Sequence, residues 1–173
     1  MTDKIVVAEL SPTASETEAL LFALDRSRMQ FAWKTGGLDA AGLSRTHPPS
    51  TMTLGGLIKH LALIEDYYTS KWVTGEQMGA PWDQADFDAD PDWEWRTGAQ
   101  DSPEELYALW FGAVRRTQKA LASIRPEEPS RKGANFRRLL VDLHDEYARH
   151  TGHADLLREA VDGLVGEDPP RDS

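Results

Sequence analysis

The stretch from Phe136 to Leu164 constrains the fold more than any other part of the chain. In steps of four and three it gives Phe136, Leu140, Leu143, Tyr147, His150, Ala154, Leu157, Val161 and Leu164, a seam of core positions at the helical period. One slot of that seam holds an imidazole instead of an aliphatic side chain. Glu146 stands one turn before His150 and His153 nearly one turn after, so the three project from neighbouring positions on one face. His144 points about 120° away from His150 at the helical pitch and is expected in solvent, as is His47. A helix with Glu and His on its inward face must satisfy those groups, and a metal ion is one way to do so.

Three further amphipathic segments accompany it. The first is predicted to start at Ser15, which has capping-box spacing with Glu18, and to run through Leu20, Leu24, Ser27 and Phe31 to a stop at Gly36-Gly37. A loop containing His47, Pro48 and Pro49 follows. The second helix is predicted over 53–73, with Leu54, Leu57, Leu61, Ile64 and Tyr68 as its seam and Gly75 as terminator. His60 lies beside that seam, one turn from Leu57 and Ile64. Gly55-Gly56 is costly inside a helix and is expected in the first turn, where backbones approach closely.

The third helix has Ser102 as N-cap, Pro103 at its first position and Glu105 closing a capping box. Leu106, Trp110, Ala113, Thr117, Leu121 and Ile124 form its inward face, with Pro126 and Pro129 beyond. The fourth helix is the opening stretch, starting near Ala134 or Asn135. Residues 75–101 have no helical period but carry Trp82, Phe87, Trp93 and Trp95 among many acidic residues. A loop of this length is uncommon and often functional, and it is expected to fold over one end of the bundle. The fold class is therefore all-α, a four-helix bundle with a long aromatic, acidic loop between helices two and three.

Length and charge narrow the function classes. The 173 residues suit one domain, 1–173, with a short polar tail from about 166. A formal charge of −10 argues against nucleic acid and anionic membrane surfaces as partners. There is no cysteine, hence no disulfide, thiolate metal site or cysteine nucleophile. The first ten residues lack the pattern of a secretory signal, and no apolar run reaches the roughly 20 residues of a membrane span. A cytoplasmic location is expected.

The candidate constellation is His60 with Glu146 and His150. Imidazole and carboxylate suit a divalent ion such as zinc or nickel, and three protein ligands leave room for water or substrate. His153 is the alternative to Glu146, or a donor from behind the ligands. On spacing alone the other reading stays open, in which His150 is a core histidine bonded to Glu146 or Tyr147 and His60 a flank residue. Arg137, Arg138 and Arg149 offer an anion site or simply a charged solvent face. No HExxH, paired Glu-x-x-His, G-x-S-x-G or P-loop is present.

The segments TLGGLIKHLALIEDYY and LVDLHDEYARHTGHADLLREAVDG resemble the DinB/YfiT-like superfamily of metalloenzymes, in particular the actinobacterial branch that includes the mini-circle protein. The resemblance covers nearly the whole chain. It implies a four-helix bundle, often a homodimer, with a divalent metal held by a helix-two histidine and two helix-four ligands one turn apart. His60 matches the first of these and His150 the last, while Glu146 stands where many relatives carry histidine. It further implies transfer of a low-molecular-weight thiol, such as bacillithiol or mycothiol, to a small electrophile through metal activation of the thiolate, with Trp82, Trp93 and Trp95 walling the mouth of the site. A non-catalytic metal-binding or stress-response bundle, and a helical interaction protein without metal, are the competing classes.

Overall fold

The structure, a computed structural model, describes residues 9–169. The first eight of the ten residues read above as lacking a secretory signal, and the last four of the polar tail, lie outside the described residues. Four long helices form the bundle: α1 (Glu16–Thr35), α3 (Leu54–Tyr68), α5 (Pro103–Leu121) and α6 (Phe136–Asp162). Two short helices, α2 (Ala40–Ser44) and α4 (Trp93–Gly98), lie in the connections. No strand occurs among the described residues. The chain is thus an all-α DinB-like bundle, in which α1 packs on α6 and α3 packs on both α5 and α6.

The helix starts follow their local chemistry. Ser15 and Ser102 each accept from the backbone N–H of the glutamate three residues on, and that glutamate returns the bond to the cap N–H. Asn135 caps α6 by accepting from Arg138 N. At the other end of α6, Gly163 takes the left-handed conformation at φ 81°, leaving Leu164 outside the helix. Leu139 and Arg158 also join the buried face of α6, and Val161 is only partly buried. Arg158 extends to the end of α1, where it donates to the carbonyls of Lys34 and Gly36.

Several expected boundaries differ. The second helix loses its α geometry after Tyr68 and continues as a π turn, Thr69–Thr74, before Gly75 at φ 77°. The third ends at Leu121, ahead of its prolines, so Ile124 packs from beyond the helix. The loop before α3 contains α2, capped by Asp39. The segment 75–101 lies along α3 instead of over one end of the bundle. Trp82 donates its indole N–H to Asp66, late in α3, and α4 returns to the first turn of α3.

That return explains Gly55-Gly56. A Cβ on Gly56 would meet the carbonyl oxygen of Trp95 at 2.9 Å, and one on Gly98 would meet that of Gly55 at 2.7 Å. Only hydrogen at these positions lets two helix backbones touch. The contact holds α4 against the part of α3 that carries His60.

A buried polar network ties the four long helices together. Arg28 of α1 donates Nε and Nη2 to the two carboxylate oxygens of Glu65 of α3, each at 2.7 Å. Tyr147 of α6 donates to Glu65 Oε1 at 2.8 Å and accepts from Trp110 Nε1 of α5 at 2.7 Å. All four residues are at most 1% exposed. Bidentate geometry and satisfied partners let this ion pair persist in the core.

Candidate metal centre

His60 on α3 and Glu146 and His150 on α6 come together, each offering one donor atom, with those atoms all within 4.8 Å of one another. Glu146 Oε2 lies 3.3 Å from His150 Nε2 and 3.8 Å from His60 Nε2. The two imidazoles meet edge to face with centroids 4.8 Å apart. The i, i+4 spacing of Glu146 and His150 puts both on one face of α6, and the packing of α3 on α6 supplies the third group.

The far nitrogens of both rings are engaged. His60 Nδ1 lies 3.0 Å from Glu94 Oε1, and His150 Nδ1 lies 3.2 Å from His153 Nδ1, both within hydrogen-bond reach. The Nε2 atoms are thereby left facing each other and Glu146. Trp95 stacks on His60, with centroids 4.2 Å apart and planes inclined by 21°. Trp95 also lines a cavity of about 590 Å³ with Thr46, Met52, Thr53, Asp92 and Arg96.

Charge follows this geometry. His150 and His60, facing Glu146, hold its carboxyl down at about 2 against the opposing effect of burial. Burial pulls the His60 pKa down, but Glu146 and Glu94 outweigh it and the net shift is upward. Burial, then His150 and Arg149, lower that of His153. The donor set fits a divalent cation: two imidazole nitrogens and a carboxylate oxygen converge, and each imidazole is oriented from its other nitrogen.

The remaining residues singled out in the sequence are spread around this centre. Trp82 is buried with its ring against Trp93, which in turn packs on Phe87 and lies under Lys59 Nζ. His47 is exposed, whereas His144 is half-buried. Arg137, Arg138 and Arg149 pair with Glu16, Asp142 and Asp145 on the surface. Sequence reasoning missed Glu94. It sits between two tryptophans in a run of acidic residues, and nothing local separates it from its solvated neighbours.

The fold and centre define a DinB-like bundle with a His/Glu/His cluster. A family model described as mycothiol-S-transferase matches residues 19–163, and the chain belongs to that family. The crystal structure of a conserved protein from Enterococcus faecalis shares the fold, with a TM-score of 0.61 at 16% identity, over 88% of this chain and 100% of that one. No curated protein matches the chain.

Proposed function

We propose that this protein is a divalent-metal-dependent enzyme that transfers a low-molecular-weight thiol of the mycothiol kind to a small electrophile. The observation that carries the reading is the convergence of His60 Nε2, His150 Nε2 and Glu146 Oε2 within one family-matched bundle. These three residues would hold the cation, zinc or nickel by the chemistry of the donors. A cation bound there supplies Lewis acidity that lowers the pKa of a coordinating thiol.

The chain itself does the rest. Glu146, ionised down to about pH 2, brings negative charge to the cluster at all working pH values. Glu94 and His153 aim the imidazoles from behind, and Trp95 shields one face of His60. With no cysteine in the protein, the sulfur comes from the co-substrate: its S–H proton passes to solvent, sulfur bonds to the electrophilic carbon, and the leaving group on that carbon departs with the electron pair of the broken bond. A cytoplasmic homodimer belongs to the same reading.

The test is metal analysis of the purified protein, followed by transfer assays with mycothiol, bacillithiol and glutathione on a fluorogenic electrophile. His150→Ala is expected to lose bound metal and transfer together. A variant that keeps both refutes the assignment. Metal without transfer to any electrophile tried favours the non-catalytic metal-binding bundle.

A further inference from the structure

Glu94 reaches the cluster from α4, outside the two helices that carry the three converging donors. It is 4% exposed. A buried carboxylate is costly unless paired and fully hydrogen-bonded. Here Oε1 has His60 Nδ1, while Oε2 has no hydrogen-bond partner among the described residues. The nearby cations are engaged elsewhere, Lys59 with Asp101 and Arg96 with Asp90. A carboxylate held this way contributes little to the fold, and its one clear action is on the imidazole.

We propose that Glu94 is the positioning residue of the metal centre, accepting the Nδ1–H of His60 so that the Nε2 lone pair faces Glu146 and His150. This deepens the metal reading above and rests on it. Neutral imidazole places its single proton on either nitrogen, and the neighbouring acceptor decides which. Without Glu94, the remaining acceptor is Glu146 Oε2, 3.8 Å from Nε2. The proton would then settle on Nε2 and remove the lone pair from the cluster. Glu94 reverses that choice, and its charge makes Nε2 a stronger donor to a cation. Trp95, the next residue, fixes the ring plane by stacking. Gly55-Gly56 lets α4 come close enough for both contacts.

The experiment combines 15N NMR of the metal-free protein, at a pH where the ring is neutral, with zinc titration. Wild type is compared with Glu94→Gln, which keeps an acceptor oxygen of similar reach, and Glu94→Leu, which fills the space without one. The proton is expected on Nδ1 of His60 in wild type and Glu94→Gln, and on Nε2 in Glu94→Leu. Zinc affinity is expected to fall about 10–100-fold in Glu94→Leu and much less in Glu94→Gln. Equal losses in both variants, or wild-type tautomer and affinity in Glu94→Leu, overturn the proposal. Should Glu94→Leu fail to fold, the wild-type spectrum still decides, since an Nε2 proton there overturns it. A wild type that takes no zinc sinks the metal reading itself, whereas failure confined to the variants sinks only the role of Glu94.

Discussion

Two carboxylates flank His60, and their competition with burial sets the pH behaviour of the cluster. Because Glu146 and Glu94 outweigh burial and raise the folded pKa of His60 above its ordinary value, a cation competes with a proton for the ring up to a higher pH than it would at a free histidine. Zinc affinity is therefore expected to climb by about tenfold per pH unit until pH passes that raised value, and then to level off. Calorimetric titration across this range, with proton release measured in two buffers, checks it; a flat profile above pH 6.5 contradicts it. The stability of the metal-free protein runs the other way. The contribution of protonated His60 is fully present below 6.5 and is lost as pH rises through the folded value. That of Glu146 is present above its ordinary 4.5 and is lost as pH falls through about 2. At this scale, sequence spacing identified His60, Glu146 and His150 as candidates because register on a helix is periodic. Glu94 was not legible, since its role depends on a contact between residues 34 positions apart in the chain.

Among the elements that carry none of the three converging donors, α4 reaches the cluster through Glu94 and Trp95. Gly56→Ala would drive a methyl group against the Trp95 carbonyl, so α4 must withdraw and take Glu94 and Trp95 with it. The expected result is a loss of zinc affinity of about 10-fold or more, in line with removal of groups that orient metal ligands. Gly152→Ala is the control. Its added methyl meets nothing within 4 Å on α6, so it should stabilise the protein by about 0.5–1 kcal/mol and leave zinc binding unchanged. Thermal melts and zinc titrations of the two variants separate helix propensity from backbone contact. Caps at Ser15 and Ser102 were readable because each involves a glutamate three residues on, whereas the start of α6 was read only as near Ala134 or Asn135. The α4 helix was not, because six residues bounded by Gly, Pro and Asp carry too little periodicity to separate helix from loop.

For the whole molecule, the Arg28–Glu65–Tyr147–Trp110 network is the joint that all four long helices share. Arg28→Met leaves the Glu65 carboxylate buried without its cation, an expected cost of about 3–5 kcal/mol. Arg28→Met with Glu65→Leu should recover part of that loss, because no bare charge remains. Urea unfolding at constant m-value reads both, and a single variant as stable as wild type would show that the pair is not needed. Arg28 falls between Leu24 and Phe31 and Glu65 one turn after Leu61, so both sat in core register on their own helices. The signal was present but unpaired. The sequence by itself determined four amphipathic helices, the capping boxes of two of them and the face of α6 that bears Glu146 and His150, because these follow from period and from bonds between residues three or four apart. Tertiary structure alone decided that His60 faces that pair, that Glu94 and Trp95 close over it, and that Glu65 finds Arg28. Those contacts depend on how helices cross and on where two glycines let backbones meet, and neither is encoded in any one segment.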